Sequence, residues 1–118
     1  MQNKIIAFSH AIRGVKTALI TQPNVRIHLI IAVMVSLFGY FLGLSTEELI
    51  EIILLVGLVL VAEMINTSIE FACNAITTEI HPDIKKAKDV AAGSVLVVSI
   101  LAIIIGAVIF IPKILALT

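Results

Sequence analysis

Residues 5–20, IIAFSHAIRGVKTALI, place an apolar side chain at every third or fourth position: Ile5, Phe8, Ile12, Val15 and Leu19. That spacing puts all five on one face of a helix. His10, Arg13, Lys16 and Thr17 fall elsewhere on the wheel. A basic amphipathic helix of this kind suits a membrane surface, and it can equally pack on protein. Gln22-Pro23-Asn24 interrupts the pattern, because proline biases its predecessor away from helix. From Leu29 to Thr46 no residue is charged. At helical rise this run covers about 27 Å, close to the thickness of a hydrocarbon core. Ser45-Thr46-Glu47-Glu48 has the form of a capping box, with Ser45 as N-cap and Glu48 at the third helical position. It opens a second span that begins with the clean apolar run Ile52 to Ala62. His81-Pro82-Asp83 reads as a loop leading into a third helix, where Pro82 suits the first turn and Asp83 complements the helix dipole. Val90 to Ile111 again carries no charge. The pattern predicts a surface helix over roughly 4–21 and spans over roughly 28–45, 49–76 and 88–111.

Composition moves this reading from an apolar chain to a membrane protein. Of 118 residues, 60% are hydrophobic and 14% charged, and the mean hydropathy is +1.18. A soluble domain is about 45–50% apolar and about 25% charged. Disorder is excluded, and a short chain has too little interior to hide this much apolar surface from water. The expectation is an all-α integral membrane protein forming a single membrane domain over residues 1–118. No linker, repeat or low-complexity run divides it. Residues 1–28 hold Lys4, Arg13, Lys16 and Arg26 and no long apolar stretch, so no secretory signal peptide is expected.

Charge sets orientation. The N-terminal segment has four Lys or Arg, the 45–48 turn none, the 77–89 loop three (Lys85, Lys86, Lys88), and the C-terminal tail only Lys113. By the positive-inside rule the N-terminus and the 77–89 loop are cytoplasmic, and the 45–48 turn and C-terminus lie outside. A net charge of +0 shows no basic stripe for nucleic acid. Cys73 is the only cysteine, which excludes an intrachain disulfide. His10, His28 and His81 lack any transition-metal spacing.

The chemistry is concentrated in the second span. AEMINTSIEFACNA holds Glu63, Asn66, Glu70 and Asn74 at spacings of three, four and four. They occupy an arc of about 80°, so one helix face carries all four, with Thr67 beside them. An ionisable residue inside a membrane helix costs at least about 2.5–3.5 kcal/mol on insertion scales. Two glutamates on one face therefore call for ion binding, proton handling or catalysis. Asn66 and Asn74 can simply glue helices together, and Glu70 can snorkel to the interface; Glu63 fits those roles poorly, since glutamine would glue as well. Glu63 lies about 20 Å from the outer end and Glu70 about 10 Å further, both in the inner half. Lys88-Asp89 stands at the mouth of the third span, with Glu79 and His81 in the loop before it. Lys88 can hold a phosphate as a point charge, and Asp89 can orient Lys88 or sit near a metal. Carboxylates on one helix face suit Mg²⁺. No GxxxxGK[ST], GxGxxG, HRD or DFG motif is present.

AEMINTSIE resembles the VEILNSAIE-type signature of the bacterial diacylglycerol kinase and undecaprenol kinase family. HPDIKKAKDVAAGSVL and NVRIHL resemble two further blocks of that family, so the resemblance covers nearly the whole chain. It implies an integral-membrane lipid kinase, a homotrimer of three-span chains, that moves the γ-phosphoryl of MgATP to a lipid hydroxyl. The bacterial cytoplasmic membrane is the implied location. By resemblance Glu63 is the base and Asn66 lies near the reacting groups. His10, Glu70, Glu79, Ile80, His81, Lys88 and Asp89 serve the nucleotide, with Glu70 holding Mg²⁺. Arg13, Asn24, Arg26, His28, Glu63 and Ala92 serve the lipid. Gln22 stands where the family often carries a metal-holding glutamate. Glutamine offers only a neutral carbonyl oxygen, so metal is held more weakly there or another group completes the site. Asn74 stands where some members carry aspartate. The acceptor remains open between undecaprenol and diacylglycerol, with AKDVAAGSV more like the undecaprenol branch. The alternative is a small proton-coupled transporter or ion-conducting oligomer using Glu63. Clustering of the carboxylates toward one membrane face, level with His81, Lys88 and Asp89, counts against it.

Overall fold

A computed structural model describes residues 2–118, with side chains from residue 3. It contains four helices: α1 (Gln2–Thr21), α2 (Pro23–Leu42), α3 (Thr46–Ile76) and α4 (Pro82–Leu115). No strand occurs among the described residues. α3 packs along both α2 and α4, while α1 touches only α2 and α3. The result is a slab of 55 × 42 × 20 Å.

Each boundary has a local cause. Gln22 is extended (φ −117°, ψ 107°) and Pro23 occupies the first helical position. Proline lacks the N–H that would be unpaired there. α2 therefore starts about five residues before the predicted span, and Asn24, Arg26 and His28 are helical. The other side of the junction is closed by Arg26, whose guanidinium donates to the carbonyls of Leu19 (2.7 Å) and Ile20 (2.9 Å). A cation at the last carbonyls of α1 satisfies orphan acceptors and opposes the negative dipole end.

α2 ends on Gly43, the one residue with positive φ among those described (φ 86°, ψ 31°). Gly43 N–H donates to Tyr40 O and Leu44 N–H to Gly39 O. These two bonds and the left-handed glycine form a Schellman motif. Leu44 folds back on Gly39 so closely that a Cβ there would meet Leu44 Cδ1 at 2.7 Å. The predicted capping box is present: Glu48 N–H donates to Ser45 Oγ (3.2 Å) and Ser45 N–H to Glu48 Oε1 (3.0 Å). Lys113 near the end of α4 lies 3.7 Å from Glu48 and pins the two helices at this end. α4 begins at Pro82, where proline and Asp83 suit the first turn and His81 Nδ1 accepts from Asp83 N–H (3.2 Å).

Little of the apolar surface is internal. One small core unites Leu44, Ile52 and Ile109 with Val35, Leu49 and Phe110. Phe38 stacks on Phe110 with centroids 5.5 Å apart. Most other large apolar side chains face outward, among them Met34, Leu54, Ile103 and Val108. α2 and α4 are long and apolar enough to cross a membrane, with mean hydropathy 2.0 and 3.1 over their apolar windows. Only 17% and 6% of those windows is buried, unlike the core helix of a soluble protein. The apolar face of α1 (Ile5, Phe8, Ile12, Val15) is also exposed rather than packed on α3.

Two predictions follow from the turn between α2 and α3. Gly43→Ala is expected to cost about 1–2 kcal/mol, because an L side chain resists the left-handed conformation; thermal unfolding in detergent micelles reads it. The Ser45 backbone N–H, chiefly, holds the Glu48 carboxyl below its ordinary value, against a smaller opposing effect of desolvation. A depressed folded-state pKa gives stability that is present above the unfolded pKa and lost as pH falls through the folded one. The melting temperature should therefore drop as pH falls below the usual carboxylate range, and part of that acid sensitivity should vanish in Glu48→Gln.

Candidate functional site

The packed edge of α3 starts as hydrocarbon and turns polar. Ile52 and Val59 are buried, and the same ridge continues with Glu63 and Thr67, each 5% exposed. Opposite lies the packed edge of α2, where Val25 and Ala32 are buried and His28 falls between them at helical spacing. His28 Nε2 is 3.4 Å from Glu63 Oε1. The buried carboxylate thus meets a polar partner across the interface, as a buried charge requires. Asn66 Oδ1, less than one turn further along α3, is buried with no hydrogen-bond partner. Glu70 is half-buried one turn beyond.

A second group gathers between α1 and α3. A cleft of about 430 Å³ is lined by His10, Arg13, Gly14, Thr17, Ala18, Met64, Thr67, Ser68 and Phe71. Arg13 Nη1 and His10 Nδ1 are 3.2 Å apart. Ala18 is buried on this side of α1, while Gly14 borders open space, with nothing within 4 Å of where a Cβ would stand. Sequence reasoning separated His10 and Arg13 into nucleotide and lipid roles, and they line one cleft. It did not single out Gly14 or Ser68 as site residues. The signal available was the small-residue spacing Gly14–Ala18 facing hydroxyl-bearing Thr67-Ser68.

At the far end of α3, Lys88 Nζ donates to Asn74 Oδ1 at 2.7 Å. The expectation that Asp89 orients Lys88 needs correction: Asp89 pairs instead with Lys85 at 2.7 Å, one turn earlier on α4. Adjacent helical residues point about 100° apart, whereas residues four apart lie side by side. That hydrogen bond, more than the charge attraction, pushes the Lys85 ammonium pKa up. The 77–81 loop is held by Glu79 N–H donating to Thr77 Oγ1 (3.0 Å) and by His81 capping α4. Glu79, Ile80 and His81 are all exposed there, Ile80 almost completely. Asn24 and Ala92 are exposed too. Arg26 spends its guanidinium on α1 carbonyls. Gln22 sits on the α1–α2 elbow with Nε2 3.4 Å from Thr21 Oγ1.

Among the described residues no group of three His, Cys, Asp or Glu side chains could close around a metal. Mg²⁺ does not need one, since it is usually bound by one or two carboxylates and completed by water and phosphate oxygens. The half-buried Glu70 carboxylate and the unpartnered Asn66 Oδ1 are hard oxygen donors one turn apart, so the donor set fits that ion.

Residues 9–110 match the family described as prokaryotic diacylglycerol kinase. The chain is 40% identical over 107 residues to undecaprenol kinase of Bacillus subtilis (strain 168), covering 91% of this chain and 87% of that protein. It is 34% identical over 116 residues to diacylglycerol kinase of Synechocystis sp. (strain ATCC 27184 / PCC 6803 / Kazusa), covering 98% of this chain and 66% of that one. A match over this much of the chain, with apolar helices exposed as a membrane-associated protein requires, shows that the chain belongs to the prokaryotic diacylglycerol kinase family, a family of lipid kinases.

Proposed function

We propose that the protein transfers the γ-phosphoryl of MgATP to the hydroxyl of a membrane lipid at the cytoplasmic interface, with undecaprenol as acceptor. The observation that carries this reading is a carboxylate buried to 5% exposure in an apolar helix, with an unpartnered amide oxygen beside it. The 40% relative named undecaprenol kinase supports the acceptor, and the 34% relative named diacylglycerol kinase supports diacylglycerol as the second choice. The transporter reading has no support from a family of kinases.

The roles follow from what each group can do. Glu63 accepts the proton of the lipid hydroxyl as that oxygen attacks phosphorus. A carboxylate within reach and shielded from water is suited to general-base work. Asn66 Oδ1 is free to receive the hydroxyl or a ligand of the bound ion. Glu70 and Asn66 would hold Mg²⁺, with Gln22 at most a weak neutral donor; the ion supplies charge neutralisation on the phosphates when bound. Lys88, anchored by Asn74, contributes a positive charge at the same end of α3. Phosphoryl transfer depends mainly on positioning and charge stabilisation, which these groups offer. His10 and Arg13 in the α1–α3 cleft, with Glu79, Ile80, His81 and Asp89, flank the nucleotide. Arg26, Asn24, His28 and Ala92 lie on the lipid side.

In this reading α3 crosses as a third span between α2 and α4 through its uncharged run Ile52 to Ala62. The N-terminus and 77–89 loop face the cytoplasm, as the lysine and arginine distribution favours. The chain works as a homotrimer, for which the broad apolar exterior leaves ample surface.

Labelled γ-phosphate transfer in mixed micelles tests this proposal, with undecaprenol and diacylglycerol offered separately. Undecaprenol should be labelled faster. Glu63→Gln should lower the rate by at least about 100-fold, the scale of lost general-base catalysis, while elution and unfolding stay those of the parent. Equal labelling in that variant removes Glu63 from the mechanism. Glu70→Gln should raise the Mg²⁺ concentration needed for half-maximal rate, read by metal titration of the same assay.

A further inference from the structure

The contact between His28 and Glu63 is not accounted for by lipid binding alone. His28 comes from α2 and Glu63 from α3, and each lies on the packed edge of its helix between buried neighbours. The carboxyl side chain is 7% exposed and the imidazole 26%. Among the described residues His28 is the one cationic or potentially cationic side chain within ion-pair distance of Glu63. The remaining pairs are elsewhere: Lys85 with Asp89, Lys113 with Glu48, Lys88 with Asn74.

We infer that His28 is a positioning residue for the base: its Nε2 holds the Glu63 carboxylate in the orientation that receives the hydroxyl proton. This rests on the reading of Glu63 as general base. A glutamate carboxylate on a flexible stem must be oriented by a third group to act efficiently, the same logic that pairs nucleophile, base and orienter in hydrolases. The 3.4 Å separation is longer than an N–H···O hydrogen bond of about 2.7–3.2 Å. Catalytic contacts are often long before substrate is seated and tighten in the reactive complex. His28 also lines an apolar cleft with Ile31, Val59, Ser99 and Ile103. His28 therefore touches both the base and a hydrocarbon-lined space. It acts through Glu63 rather than on the transferred group.

The test compares His28→Gln, His28→Asn and His28→Ala in the micelle assay, with Glu63→Gln alongside. Gln places an amide nitrogen where the ring has Nε2; Asn, one carbon shorter, does not reach. His28→Asn and His28→Ala should lose about 100-fold in kcat, the scale of an ångström-size misplacement, with KM for MgATP unchanged. His28→Gln should stay within a few-fold of the parent. If the alanine variant does not fold, the Gln and Asn pair decides, since both keep a polar group of similar size. Equal rates for Gln and Asn overturn the positioning role, and so does a change confined to KM for lipid. Turnover persisting in Glu63→Gln overturns the base assignment and this inference with it. Loss in Glu63→Gln with parental rates in every His28 variant overturns the positioning role alone.

Discussion

The carboxylate of Glu63, buried between two apolar helices, constrains much of the rest of the molecule. A charge removed from water must be matched nearby or it destabilises the fold by several kcal/mol, on the order of 3–5. Here the match comes from a different helix, His28 on α2. That contact lies within the apolar packing of α2 on α3, beside buried Val25, Ala32 and Val59. The elbow at Gln22, with Arg26 closing the end of α1, sets α1 beside α3 so that His10 and Arg13 come to the cleft next to Thr67. The proline elbow and the His28–Glu63 contact thus meet at the same end of the chain.

The end that carries the α2–α3 turn relies on different physics. The Schellman turn at Gly43, the capping box at Ser45 and the Lys113–Glu48 contact close the α2–α3 turn and tie it to α4. Leu44, Ile52 and Ile109 make a compact apolar core there. Interior hydrocarbon is scarce because the apolar side chains point outward, where a bilayer rather than protein is the favourable neighbour. Helix ends carry the polar chemistry and helix faces carry the lipid-facing surface, so the two requirements do not compete for the same residues. Glu63, Asn66 and Glu70, with His28 and Thr67 beside them, are polar groups on helix faces, and the candidate chemistry is built on them.

Much of the fold was legible in the amino-acid order because its signals are local. The Ser45–Glu48 box, Pro82 with Asp83, the uncharged run from Val90 to Ile111 and the polar face of α3 each depend on residues within about two turns of one another. The same periodicity put Glu63, Asn66, Glu70 and Asn74 on one face before any partner was known. The start of α2 at Pro23 is less legible, since its polar first turn lies outside the uncharged run that marks the helix. Residue pairing was beyond reach. Asp89 seemed the natural companion of Lys88 in a linear reading, yet the helix turns them apart and delivers Lys88 to Asn74.

By itself, then, the sequence determined that this chain is a set of apolar helices with one basic end and a carboxylate-bearing face, because helical periodicity, capping and charge counting act over a few residues. Only the tertiary structure decided which groups meet: His28 with Glu63, Lys88 with Asn74, Arg26 with the carbonyls of α1, and Asn66 Oδ1 with nothing. Those encounters depend on how far each helix is rotated about its axis and slid along its neighbour. Rotation and slide are set by packing across the whole interface, and no short stretch of residues encodes them.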